Sequence, residues 1–475
     1  MIRYDLGFLM EPSFSLRRPR PPRATLLLAC LLAVGCTTDT KPQEPNVILI
    51  VVDTLRADHL TQYGYTRETS IGLAEFASHS TIFTRAYSTS SWTQPSVASL
   101  FTGLMPSSHQ VVVQGAVLSS QFETLAERVS QAGWTSAAFS GNLFISGKSG
   151  YHQGFDYFVG HDGHVLAYPD VADMLTVVDS WLAGPDRGST PWFLYFQPMN
   201  CHGPYNVPEE HQAELLGRKP DREFRYQGDL MQSIVRRGDV AARSEATPKF
   251  VQSLTDQYDT AVRYSLDTVG ELLEMLRSRN LYENSLIIVT SDHGEELFDH
   301  GGFSHAYSLY EEVVRVPLWI KLPGQTTAAT VDYPVSLIDI YPTILETLDL
   351  DHPEGLHGTS LLPFLESDTS RPPSNLRPIL LETRWEERAV AAALRIGPFK
   401  LIDIRSNYEG QRDIQLLFNL EQDPAELENL AALHPEIAES MASELGQAID
   451  PATSPEAVEK VEFDVEALRA LGYVD

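Results

Sequence analysis

Four residues in this sequence could do chemistry together. The apolar run NVILIVV (46–52) ends at Asp53, and SLIIVTS (285–291) ends at Asp292-His293. Runs of this kind mark strands buried on both faces of a parallel sheet. In open α/β sheets, ligands gather at the carboxyl ends of such strands. Two aspartates and a histidine delivered there could hold one divalent cation. The mixed oxygen and nitrogen donors suit zinc or manganese, and calcium is compatible. Taken singly, an aspartate at a strand end is more often a helix cap or turn former. The conjunction of two strand ends favours the metal.

The stretch SSWTQPSVASLFTG (90–103) supplies a hydroxyl. Thr93 stands two positions before Pro95-Ser96, which opens a helix; proline suits the first turn because no partner awaits its missing N–H. Such a helix start turns free backbone N–H groups toward an anion. A threonine hydroxyl is a poor nucleophile in water, but a bound cation lowers its pKa. On spacing alone, nucleophile and helix cap are equal accounts of Thr93.

Elements able to position these residues recur along the chain. WFLYFQ (192–197) and VPLWIK (316–321) read as further strands, and QFETLAERVSQAG (121–133) and AVRYSLDTVGELLEMLRSR (261–279) as helices. Strands alternating with helices predict an α/β fold over 46–366, with a mostly parallel central sheet covered by helices. The polar segment 206–250 reads as an excursion over the surface. SDTSRPPSNLRP (367–378) reads as a linker. Beyond it PILLET, AAALRI, FKLIDI and IQLLFNL predict the strands of a small C-terminal α+β subdomain (379–475), closed by a helix around 433–446. DPAELENL (423–430) reads as a turn and helix start.

The balance of 64 acidic against 35 basic residues, net −29 over 475 residues, argues against nucleic acid as a partner. An anionic ester remains compatible, because a cation can supply the local positive charge. Arg17, Arg18, Arg20 and Arg23 precede ATLLLACLLAV, a run too short to span a bilayer comfortably. This order predicts a signal peptide over 1–35. The small residues before Cys36 resemble a bacterial lipoprotein cleavage box. The expectation is therefore an exported protein of the bacterial cell envelope, lipid-anchored at Cys36 through the tether 36–45, with no other membrane contact. Of three cysteines only Cys201 then remains for the fold, which excludes an intramolecular disulfide. Cys201 reads as a small buried apolar residue.

In order along the chain stand NVILIVVDTLRADHL, the Pro-Ser turn with TGLMPSSH, FLYFQPMNCHGPY and YSLDTVGELLEML. IIVTSDHGEEL, SHAYSLYEEVVRVPL, SLIDIYPTILETL and LFNLEQDPAELENL follow. This series resembles the sulfatase family of the alkaline phosphatase-like superfamily over essentially all of 45–475. The resemblance implies an alkaline phosphatase-like sandwich, with metal ligands at Asp53, Asp292 and His293 and the nucleophile position at Thr93. It implies that His202 in NCHGPY faces the transferred group. His305 in SHAYSLYEE stands where the family has a lysine or histidine near the leaving group. Asn142 in SGNLF falls near a substrate-binding lysine of many sulfatases.

The sequence departs from the family twice at its signature. Sulfatases carry Cys or Ser, oxidised to formylglycine, within C/S-x-P-x-R; Thr93 cannot become formylglycine, and Val97 replaces the arginine. The usual pair of carboxylates in the first motif is also reduced to Asp53-Thr54. A formylglycine hydrate expels sulfate by elimination, whereas a threonine ester must be hydrolysed by water. That widens the expected substrates from sulfate esters to phosphate or phosphonate esters of a small molecule or glycan. Thr93 with this ligand set also resembles the threonine-dependent phosphoethanolamine transferases, so transfer to envelope lipids or glycans is an alternative. Those enzymes carry several membrane helices, and only a signal is found in this sequence. An inactive, sulfatase-like binding protein is the third reading. Asp58, His59 and His109 fit family positions but read as structural, and Asp299 and His300 read as loop residues before second metal ligands.

Overall fold

A computed structural model describes residues 44–160, 170–205, 207–219, 246–366, 377–385, 389–406, 413–449 and 459–462. In it the apolar runs become the centre of one eight-stranded sheet. Its strands are β1 (Asn46–Val51), β2 (Thr81–Tyr87), β3 (Thr135–Ser140), β4 (Tyr157–Val159), β5 (Trp192–Gln197), β6 (Ser285–Thr290), β9 (Arg315–Lys321) and β10 (Ala329–Ser336). Two short strands, β7 (Glu296–Leu297) and β8 (Phe303–Ser304), form a separate hairpin. The sheet order is β10-β2-β9-β6-β1-β5-β3-β4, so β1 lies inside it, parallel to both neighbours.

Most pairings are parallel, as the alternation of strands and helices predicts. The exception is β9, the VPLWIK run, which is antiparallel to β6 and to β2. The chain between β6 and β9 holds only the β7–β8 hairpin and the one-turn helix Glu311–Val314. Without a crossover helix to carry it back along the sheet, the chain returns in the opposite sense.

Every residue of β1 is buried, and the pleat sends alternate side chains to opposite faces. Ile48 and Ile50 join the core under the long helix Pro248–Ser278, through Leu254, Val262 and Val269. Val47, Leu49 and Val51 join the core under the helix Thr93–Thr102, through Val97, Leu100 and Phe101. The long helix begins thirteen residues earlier than its apolar periodicity suggests, because Thr247 caps it by accepting from Phe250 N at 3.2 Å. The end of the expected surface excursion is thus helix; residues 206 and 220–245 lie outside the described residues. The expected signal, Cys36 and most of the linker 367–378 lie outside them too. No helix among the described residues is long and apolar enough to cross a membrane.

The C-terminal strands β11 (Ile379–Trp385), β12 (Ala389–Ile396), β13 (Phe399–Ser406) and β14 (Ile414–Asn419) form an antiparallel meander. The helix Pro435–Ala448 covers one face through Met441 and Leu445. The other face packs on Tyr87, Leu309 and Val314 of the larger sheet's surroundings. DPAELENL makes turns only; the helix starts at Pro435, where proline occupies the first turn. Glu426 from that stretch is buried and pairs with Lys400 at 2.9 Å. Lys400, fully buried, pairs at the same distance with Glu311, just past the β7–β8 hairpin. A buried cation between two carboxylates therefore ties the small sheet to the large one. Replacing it leaves two acids without their partner, and breaking such a buried pair costs about 3–5 kcal/mol. Lys400→Met is expected to lower unfolding stability in urea by that order, whereas Lys460→Met, on an exposed residue, leaves it unchanged.

Candidate active site

The carboxyl end of β1 delivers Asp53 and that of β6 delivers Asp292 and His293, all fully buried. One donor atom from each lies within 4.8 Å of the others. Asp53 Oδ2 accepts from Asn142 Nδ2 at 2.7 Å and from Gln197 Nε2 at 3.2 Å. The same Gln197 amide reaches Asp292 Oδ2 at 3.4 Å. Asp292 Oδ1 accepts from the backbone N–H of Thr54 (3.3 Å) and of His293 (3.0 Å). Thr54, at φ 56°, holds a left-handed backbone that a β-branched residue adopts only under constraint. That constraint aims its N–H at Asp292.

Asp53 Oδ1 is buried and has no hydrogen-bond partner, and it lies 3.9 Å from His293 Nε2. Burial, then the neighbouring Asp292, pushes Asp53 up to about 7; burial does the same to Asp292. Burial, then His305, pushes His293 down to about 4. Two carboxylates and an imidazole are thus forced toward neutrality, a conflict that a divalent cation between them removes. The unpartnered Oδ1 and the oxygen–nitrogen donor set fit such an ion. His293 donates Nδ1–H to its neighbour's carbonyl, Gly294 O, at 2.9 Å. This leaves Nε2 as the lone-pair nitrogen facing the aspartates. Gly294 is required: a Cβ there would collide with the carbonyl oxygen of Glu312.

Thr93 completes the group. Its Oγ1 lies 3.2 Å from His293 Nε2 and 3.2 Å from Asn142 Nδ2. The helix-cap account of Thr93 does not hold: Trp92 is the extended N-cap residue and Thr93 the first helical residue. The helix is tied down by Ser96 Oγ, which donates to Asp292 O at 2.6 Å. Gln94 holds Gly115 N and Ala116 O with its two amide atoms. Val97 is fully buried in the core. Asn142 is fixed as well, since its Oδ1 accepts from Phe144 N at 2.8 Å, so its Nδ2 must serve Asp53 and Thr93. Asn142, expected from sequence as a substrate contact, donates here to both Asp53 and the Thr93 hydroxyl.

The two remaining histidines stand against this group. The His305 ring lies 4.4 Å from that of His293, and His202 meets His305 edge-on at 5.0 Å. Burial holds His202 below the ordinary range and pushes His305 down to about 3. Ser304 and Ala306 flank His305 with φ of 78° and 75°, and Ala306 N bonds Ser91 O at 2.8 Å. All seven residues marked in sequence within the fold therefore come together. Cys36 lies outside the described residues.

The model of the family described as "Sulfatase" matches residues 45–350. That is most of the chain. The chain belongs to the sulfatase family, whose members are sulfuric ester hydrolases. A second model, "N-sulphoglucosamine sulphohydrolase, C-terminal", matches 299–451. Arylsulfatase K of Bos taurus is 26% identical over 451 residues, covering 86% of this chain and 82% of its own. The phosphonate monoester hydrolase of Agrobacterium radiobacter shares the fold at a TM-score of 0.68 and 21% identity, over 85% of this chain and 95% of its own. A structure solved with its substrate D-glucosamine-2-N,6-O-disulfate does so at 0.70 and 19%, over 85% and 97%.

As a sulfatase, this chain also contains site residues that its sequence did not disclose. Gln197 bridges both aspartates; it is the polar last residue of WFLYFQ, the same signal that marks Asp53. Glu295 backs His305 at 3.0 Å, but nothing in DHGEEL says which of its two glutamates faces inward. The residues read as structural are so placed: His59 bonds Asp259, His109 bonds Ser99, and Asp58 pairs with Arg56. Asp299 is a second partner of Arg56, and His300 stacks on Tyr310 and bonds Glu312, so both side chains are engaged away from the Asp53–Asp292–His293 group.

Without a cation, Asp53 and Asp292 bind protons more tightly in the fold than in the unfolded chain, between 3.8 and about 7. The native state then carries the extra protons, so apo stability falls as pH rises through that window. Added manganese or zinc is expected to raise the melting midpoint at pH 8 and to have little effect at pH 5. Asp292→Asn should abolish the rise, as read by thermal melts and by metal content of the dialysed protein.

Proposed function

We propose that this sulfatase-family hydrolase uses Thr93 as its nucleophile against sulfate, phosphate or phosphonate monoesters. One observation carries the reading: the buried hydroxyl of Thr93 lies among the three candidate ligands, 3.2 Å from His293 Nε2, on the first residue of a helix. Asp53, Asp292 and His293 would hold one divalent ion, zinc, manganese or calcium, which when bound lowers the pKa of the hydroxyl and draws charge from a non-bridging ester oxygen. Asn142 orients Thr93 through its amide. Thr93 attacks sulfur or phosphorus, a neighbouring histidine protonates the leaving alcohol, and water then releases Thr93. No formylglycine takes part.

The alcohol portion is a small molecule or a sugar. Support comes from the relative solved with a disulfated glucosamine, and the phosphonate monoester hydrolase of the same fold supports the phosphorus esters. Thr93 has a single hydroxyl, so its ester cannot collapse by elimination and must wait for water. That requirement favours phosphorus esters over sulfate.

Matched aryl sulfate, phosphate and phosphonate esters, assayed with zinc, manganese or calcium, test the reading. Thr93→Ala is expected to lose at least ~10³-fold in kcat on the preferred ester, and Thr93→Ser to keep part of it. Equal turnover by wild type and Thr93→Ala removes Thr93 from the chemistry. Passage of the group to an added alcohol in preference to water would make the protein a transferase instead.

We also propose that residues 1–35 are a lipoprotein-type signal, followed by a tether, a catalytic region over 46–366 and a subdomain over 379–475. The order of arginines, apolar run and LAVGC supports it. The mature protein then sits in the bacterial cell envelope, held by lipid on Cys36. Intact mass of the membrane fraction should show a diacylated Cys36 N-terminus, and Cys36→Ser should release the protein from the membrane; an unmodified Cys36 would sink the proposal.

A further inference from the structure

The helix that carries Thr93 begins loosely and is held from outside itself. Its opening hydrogen bond, Ser96 N to Trp92 O, is long at 3.4 Å, and first-turn N–H groups have no helical partner of their own. The residue after Thr93 is Gln94, fully buried. Its Oε1 accepts from Gly115 N at 2.9 Å, and its Nε2 donates to Ala116 O at 3.2 Å. Its own carbonyl accepts from the buried Tyr151 hydroxyl at 2.6 Å. The remaining polar groups of the loop 115–117 belong to a stretch from the far end of the chain, 459–462. Val461 N donates to Gly115 O at 2.8 Å and Val117 N to Glu459 O at 2.9 Å, with Lys460 opposite Ala116 in an antiparallel bridge. Gly115 holds φ 81°, and a Cβ on it would stand 2.7 Å from Val461 O, so only glycine lets the two stretches close.

We propose that Gln94 is the positioning residue of Thr93, and that the C-terminal stretch 459–462 sets its grip through the loop 115–117. The inference rests on the proposed reaction at Thr93. A threonine hydroxyl sits on a branched Cβ with few rotamers, so its oxygen follows its backbone. Displacing a reacting atom by about 1 Å costs on the order of 10²-fold in rate. Gln94 shares a peptide unit with Thr93, and whatever fixes Gln94 fixes that backbone. An amide offers a donor and an acceptor side by side, and Gln94 spends both on one loop. That loop is held on its other side by Glu459 and Val461, so it cannot move away from Gln94 without breaking a backbone hydrogen bond. The last described residues of the chain thereby fix the placement of the proposed nucleophile without touching it.

Two substitutions at one position separate this role from side-chain packing. Val461→Pro removes the N–H that Gly115 O accepts, and Val461→Ala keeps it. With the metal-loaded full chain and the preferred ester, kcat is expected to fall about tenfold in Val461→Pro and about 10²-fold in Gln94→Met. KM should stay within about twofold and metal content should match wild type, while Val461→Ala turns over like wild type. Because the stretch acts through Gln94, the double variant Gln94→Met/Val461→Pro should be no slower than Gln94→Met alone. Losses that multiply in the double variant, a loss carried by KM, or full kcat in Gln94→Met would overturn the proposal while leaving Thr93 in place. Equal turnover by wild type and Thr93→Ala overturns the nucleophile instead. Should Gln94→Met not fold, the Val461 pair decides alone. A readout without turnover is the Thr93 methyl in ¹³C spectra, assigned by its loss in Thr93→Ser. Its three-bond couplings should report one χ1 in wild type and Val461→Ala, and rotamer averaging in Val461→Pro. An unchanged methyl in Val461→Pro refutes the coupling.

Discussion

The arrangement depends on two carboxylates forced together out of water. Asp53 and Asp292 are fully buried at the ends of neighbouring strands, and their charges cannot both persist there unaided. Desolvating a single carboxylate without compensation is worth several kcal/mol at least. The fold supplies directed N–H donors from Thr54, His293, Asn142 and Gln197, yet leaves Asp53 Oδ1 with none. Donors alone therefore do not complete the site, and the group is one that could hold a cation.

Such a conflict survives only on a rigid support. The parallel core of the sheet, with β1 buried on both faces, gives that rigidity, and the pleat distributes its side chains between two separate cores. The third partner arrives on a helix packed against one of those cores, pinned to the metal-site strand by Ser96 and Asp292. The loop after β6 is less regular, and the small sheet buttresses it. Thr383 on β11 links Ser91, beside the nucleophile helix, to Ala306, beside His305. The Glu311–Lys400–Glu426 group secures the same loop from its far end. The C-terminal sheet thus acts on the chemistry by holding its loop in place.

Within the sulfatase family the signature departs at two positions that now have distinct meanings. Thr93 stands buried at a helix start, with His293 Nε2 and Asn142 Nδ2 each 3.2 Å from its hydroxyl. Val97 faces the hydrophobic core with Leu100 and Phe101, so the side chain at that position contributes packing and no charge. Thr93 has a single hydroxyl, and the histidines around it are held by different partners, His293 and His202 by backbone carbonyls and His305 by Glu295.

Much of this was legible in the sequence, because buried parallel strands read as unbroken apolar runs and a polar residue at their end marks a ligand site. Asp53, Asp292 and His293 were visible on that ground, and the meander of the small sheet on the same pattern. Strands β2, β3, β4 and β10 were not, since TIFTRAY, TSAAFS, YFV and ATVDYPVS lack either a continuous run or a clean alternation. The reversal of β9 was invisible as well, because strand direction is decided by what the connection can span. The order of motifs along the chain determined the family and the residue types of the candidate site. Only the tertiary structure decided that Thr93 is a first helical residue and no cap, that Gln197 joins both aspartates, and that Glu295 rather than Glu296 backs His305. Each of those depends on where a side chain points after long-range packing, and neighbouring residues in sequence can point to opposite sides of a wall.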